Sequence, residues 1–126
     1  MANAPAFAAV PRVGIAALSV ANTNRDGTGT VESVFAAGAA GARIERIVVA
    51  ARATTTAGMV RLFVHNGTTA YLWREVAVAA VTPSGTVRAF REEIALEDFV
   101  LPANHALRAS THNAESFNVI AFGGDF

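Results

Sequence analysis

Three histidines, two runs of adjacent carboxylates and one serine–histidine pair are the residues of this chain whose types could do chemistry. His65, His105 and His112 could each ligate a metal or act as a base. Metal sites need ligands at spacings such as HxH or HExxH, and no two of these histidines stand at one. The chain has no cysteine, which removes disulfides, thiolate ligands and thiol nucleophiles. No metal site and no cofactor is expected. Ser110-Thr111-His112 sets a hydroxyl two residues from an imidazole. On a strand those two side chains share a face about 7 Å apart at the backbone. That is a poor geometry for a nucleophile and its base, and Glu115 is the only nearby acid to orient the ring. No GxSxG elbow is present. Glu92-Glu93 and Glu97-Asp98 offer paired carboxylates, but neighbours on a strand point to opposite sides. An exposed edge, or pairing with Arg88 and Arg91, is their simpler role. Asp26-Gly27-Thr28-Gly29 lacks the Lys-Ser/Thr ending and following helix of a phosphate loop, and reads as a hairpin tip. The expectation is that the protein is not an enzyme.

Aromatic residues are the remaining candidates. Tyr71 and Trp73 are two apart and so would share one face of a strand, with Phe63 on the strand opposite. Exposed, such a row would stack on sugar rings; buried, it would be core, the commoner fate of rings that remove so much area from water. Arg61 and Glu75 fall on the same faces as Phe63 and Trp73, which suggests a cross-strand charge pair.

These side chains sit on elements with a clear β signature. The segment GMVRLFVHNGTTAYLWREVAVA places two β-branched and aromatic runs, 59–64 and 71–78, on either side of Asn66-Gly67. Asn and Gly tolerate positive φ, so the pair predicts a tight hairpin. Residues 12–21, 31–36, 106–111 and 117–122 also read as strands, with 86–96 alternating less cleanly. RIERIVVAARA, residues 43–53, is ambiguous: Ile44, Ile47, Val48 and Ala51 match helical spacing, while the Ile-Val-Val core is β-branched and the run is short. Strand is favoured. Turn chemistry fills 22–30, 83–85 and 102–104. About eight short strands with turns every 8–12 residues or so predict one antiparallel β-sandwich or jelly-roll-like barrel. Residues 13–126 would form it, preceded by an extended N-terminal arm, residues 1–12.

Composition narrows the function classes. At 126 residues the chain forms one domain able to bury its own core. Ten basic and ten acidic residues cancel, without the basic excess of a general nucleic-acid binder. All ten basic residues are Arg, a usage that most simply reflects a GC-rich genome. An apolar fraction of 52 %, much of it Ala, hints at surface covered by a partner. No apolar run approaches the ~20 residues of a membrane span. The first residues, MANAPAFAAV, lack the basic start of a signal peptide, so no membrane association or secretion is expected.

The runs TTTAGMVRLFVHNGTTAYLWREVAV, VTPSGTVRAF and LPANHALRASTHNAESFNVIAFGGDF resemble the decoration, or cement, proteins of tailed bacteriophage capsids. The resemblance covers roughly residues 43–126 and is one of overall pattern. It implies a homotrimer, made in the bacterial host cytoplasm, that binds the outer surface of the mature capsid lattice in the virion. The partner would be the major capsid protein, whose adjacent subunits the trimer clamps, stabilising that lattice by mass action. On this reading Phe7, Val10, Pro11 and Arg12 are arm contacts to the capsid. Phe63, Tyr71 and Trp73 are candidates for a trimer seam, with core packing their simpler role. The alternative is a tail- or vertex-associated receptor module that binds carbohydrate.

Overall fold

The computed structural model describes residues 10–126. Nine strands form: β1 (Val10–Leu18), β2 (Glu32–Ala36), β3 (Ala42–Ala51), β4 (Gly58–His65), β5 (Ala70–Val78), β6 (Arg91–Ala95), β7 (Val100–Leu101), β8 (Ala106–Thr111) and β9 (Phe117–Asp125). They make two packed antiparallel sheets. Sheet A has the order β1-β9-β3-β6, with the short β7 also on β3; sheet B has the order β2-β8-β4-β5. The protein is therefore an all-β sandwich, and no helix forms among the described residues.

The pairings nest. β4 pairs with β5, β3 with β6, β2 with β8 and β1 with β9. The chain is thus one long antiparallel ribbon folded over on itself, the jelly-roll winding. Its tip is the β4–β5 hairpin, the strongest local signal in the sequence. The turn is looser than the expected two-residue one. His65 pairs with Ala70, leaving a loop of residues 66–69. Asn66 explains the difference: its Oδ1 accepts from the backbone N–H of Thr68 at 3.0 Å and of Thr69 at 2.8 Å. That side chain satisfies two loop amides, while the Asn66 amide donates to the Thr69 carbonyl at 3.1 Å and Gly67 takes the positive φ, +95°, expected of the turn.

Core positions follow the period of two. Val60 and Leu62 of β4 face inward with Leu107 and Ala109 of β8, against Ile44, Ile47 and Val49 of β3 and Val119 and Ala121 of β9. Full burial of such side chains is worth about 1.5–3 kcal/mol each. A bulge between Ile44 and Arg46 interrupts the alternation in β3. It brings Ile44 and Ile47 to the same inner face although they are three residues apart. The helical spacing of 43–53 is thus a strand with one extra residue.

Three further details depart from expectation. Residues 86–90 lie outside any strand; β6 covers only Arg91–Ala95, and β7 continues along β3. Gly123 and Gly124, beyond the strand read at 117–122, are paired within β9. Val10, Pro11 and Arg12, assigned to the arm, are strand residues paired with Asp125, Gly124 and Gly123. Phe7, the fourth arm residue, lies outside the described residues.

The sandwich is closed on one long side and open on the other. On the closed side Gly14 of β1 presses against β2, where a Cβ would stand 2.2 Å from the Val34 carbonyl oxygen, so only glycine fits. On the open side the edge strands β5 and β6 flank a cleft of about 340 Å³ lined by Arg74, Glu75, Glu92 and Glu93 over Val76 and Ile94.

Candidate functional site

The two outer faces of the sandwich are built differently. Arg61 and Phe63 of β4 project from the outer side of sheet B, yet they are 1 % and 0 % exposed. Their cover is the β1–β2 connection, residues 19–31. β1 and β2 lie in different sheets, so the expected hairpin there does not form. Instead Ala21 bridges to Thr111 at the end of β8, and the segment crosses sheet B as a strap. Arg25 reaches Glu75, and Gly27 comes against Ala70, both on β5. Along β4, Phe63 lies between Arg61 and His65, the residues opposite those two anchor points.

Polar pins hold the strap. The buried Asn22 side chain donates through Nδ2 to the carbonyls of Thr28 and Thr30, both at 2.9 Å, and accepts from the Asn24 amide at 3.0 Å. Asp26 Oδ1 accepts from the Thr28 hydroxyl and amide. Those bonds, the hydroxyl's first, hold the Asp26 carboxyl below its ordinary value. Gly29 packs on Asn22 at a φ of +82°, a conformation that favours glycine.

Beneath the strap lies a cluster of charge. Arg61 and Glu75 are directly opposite on β4 and β5, and Arg61 Nε donates to Glu75 Oε2 at 2.8 Å. The cross-strand pair expected from the sequence is present. Arg25 Nε donates to the same oxygen at 2.9 Å. Arg61 also donates to the Asn22 carbonyl at 3.3 Å and to His112 Nδ1 at 3.1 Å. Arg25 first, then Arg61, holds the Glu75 carboxyl below its ordinary value. The sequence reading missed Arg25 and His112 as members of this cluster, because the strap and the end of β8 meet only through the fold. Ser110, His112 and Glu115 do not assemble into a relay. Ser110 Oγ is buried without a partner, His112 faces Arg61, and Glu115 accepts from the Thr56 amide and hydroxyl.

Sheet A leaves its outer face bare. Val13 and Ile15 of β1 are 54 % and 65 % exposed. Across the sheet Ile15 aligns with Ile120 and Val48, and Val13 aligns with Phe122 and Arg46. Arg46 lies 4.3 Å over the Phe122 ring and pairs with Glu93, which also meets Arg91. The face is apolar and exposed at β1, half-buried at Ile120 and Phe122 of β9 and buried at Val48 of β3, with a charged border at β6.

Placement of the remaining candidates follows from this. Arg12 is a corner clamp: it lies 4.2 Å over the Phe35 ring of β2, donates to the Ala36 carbonyl and pairs with Asp125 at 3.0 Å. Phe63 is fully buried and Tyr71 is 57 % exposed. A register shift in the β4–β5 pairing, between Leu62 and Phe63, puts Tyr71 and Trp73 out of step. Trp73 packs against the core with its ring 4.5 Å from Phe99. The three aromatics therefore form no exposed row. His65 caps the Gly67 amide, and His105 contacts the Ala103 carbonyl. Among the described residues no group of three or more His, Cys, Asp or Glu could hold a metal, and no helix is long and apolar enough to cross a membrane. No family model, no curated protein and no solved structure matches this chain.

Proposed function

We propose that this chain is a capsid decoration protein of a tailed bacteriophage, which docks on the mature lattice through the bare outer face of sheet A. The observation that carries the reading is that face: Val13 and Ile15 stand exposed beside the half-buried Ile120 and Phe122. Contiguous apolar surface of this kind marks a site of association. The sequence resemblance over roughly residues 43–126 supplies the partner, the major capsid protein. Jelly-roll winding is met in viral capsid and lectin domains, which is support by analogy of fold. Assembly as a homotrimer would let one face bridge adjacent capsid subunits, stabilising the expanded shell because only that state presents the site.

Carbohydrate binding has a weaker footing. Its carrier was a row formed by Phe63, Tyr71 and Trp73, and of these only Tyr71 is largely exposed.

Quantitative mass spectrometry of purified particles tests the proposal. A copy number close to that of the major capsid protein is expected, and the double variant Val13→Ser, Ile15→Ser should fold yet be absent from particles. A copy number of a few per particle would move the protein to the tail or a vertex. Absence of the wild-type chain from particles would end the virion reading.

A further inference from the structure

A recess of about 180 Å³ opens beside the strap, lined by Arg25, Ala57, Gly58, Met59, Arg61 and His112. We propose that this recess binds a small oxyanion, a carboxylate or a phosphate group.

Donors converge there with no acid among the lining residues. A guanidinium carries five N–H groups and no acceptor. Three of those on Arg61 go to Glu75, to the Asn22 carbonyl and to His112, which leaves two. Because arginine only donates, His112 Nδ1 accepts, and the neutral ring carries its proton on Nε2 as a further donor.

Charge points the same way. Arg25 and Arg61 share one oxygen of one carboxylate, Glu75 Oε2. Glu75 lines the cleft on the open side of the sandwich and not this recess. The cluster therefore holds one positive charge more than it neutralises, around a guanidinium whose side chain is 2 % exposed. Arg61 has its partner in Glu75, so the surplus charge is that of the more exposed Arg25, and arginine pairs best with the two-oxygen edge of a carboxylate or phosphate.

Size limits the ligand. At about 30 Å³ per water, the recess holds only a handful, so a phosphate or carboxylate group fits. The recess is smaller than the roughly 300–1,000 Å³ of a pocket that encloses a whole ligand, so it would hold the anionic group alone. Arg25 belongs to the strap and Arg61 to β4, so the anion would tie the strap to the sheet. This inference does not depend on capsid binding.

The experiment is an NMR titration of the full chain at constant ionic strength, following the Arg61 Nε–H and the His112 ring. Inorganic phosphate is the probe in one arm and N-acetylglutamate in the other, with sodium chloride as the control salt. A saturable shift in either arm, larger than sodium chloride produces, is expected, and the arm with the tighter curve identifies the source of the oxyanion. Arg25→Gln should weaken that binding about tenfold or more, as loss of a charge-assisted hydrogen bond does. Arg25 is 60 % exposed, so the variant keeps the fold, and an otherwise unchanged spectrum verifies this. Shifts that never saturate, that match those in sodium chloride, or that are equal in wild type and Arg25→Gln would overturn the proposal.

Discussion

The outer faces of sheets A and B start from similar material and end in opposite states. Each presents apolar residues on the side away from the core: Phe63 on sheet B, and Val13, Ile15 and Phe122 on sheet A. On sheet B the chain covers its own face with residues 19–31, and the cover is fastened by polar contacts: Asn22 at the neck, Asp26 with Thr28 at the tip, Arg25 with Glu75 across it. On sheet A nothing among the described residues covers Val13 or Ile15. Apolar area by itself therefore does not separate a hidden face from a docking face. The presence or absence of partners for the polar groups around it does, because a loop can lie on a sheet only if its backbone is satisfied there.

Four substitutions test this contrast. Phe63→Ala should cost the most, about 3–5 kcal/mol, read by denaturant unfolding. A loss under about 1 kcal/mol would show that the strap does not seal the face. Arg61→Met keeps the volume but removes the bonds to Glu75, Asn22 and His112. It should cost about 2 kcal/mol and speed hydrogen exchange at the strap amides. Asn22→Ala removes two donors and an acceptor at the neck, and about 1–2 kcal/mol of stability should go with them. Exchange should rise within residues 22–30 and stay unchanged in β9. Ile15→Ser, on the bare face, should change stability by no more than about 0.5 kcal/mol. A large loss there would mean that sheet A's outer face is already covered in solution.

Acid separates the faces in a different way. The carboxyls of Glu75 and Asp26 are both held below their ordinary values, 4.5 and 3.8, by bonds present only in the folded state: from Arg25 of the strap and Arg61 of β4 to Glu75, and from Thr28 of the strap to Asp26. A group whose folded value is depressed contributes stability above its unfolded value and loses it as pH falls through the folded one. Lowering the pH below 4.5 should therefore loosen the strap progressively. Exchange measured on each side of that value should rise first at Thr28 and Asn24, whose amides are bonded within the strap. Uniform acceleration across both sheets would show that the two faces are not separately fastened.

Local chemistry made much of the fold legible. Asn66-Gly67 marked the hairpin at the centre of the ribbon, and the β-branched run of 43–53 outweighed its helical spacing. Bulges are where the period of two misled. At Glu45 an extra residue imitates a helix, and near Trp73 another sets one aromatic against the core while Tyr71 stays exposed. The Arg61–Glu75 pair was readable because both partners sit on one hairpin at a fixed register. Arg25 and His112 were not, since they come from the strap and the end of β8, far apart in the chain.

The β class and the central hairpin were written in the sequence, because contacts within a few residues set them. The nesting of the strands, the strap that buries Arg61 and Phe63, and the choice of which outer face stays bare came from tertiary structure. Those outcomes depend on pairing residues far apart in the chain, such as Val10 with Asp125, and local periodicity carries no record of such partners.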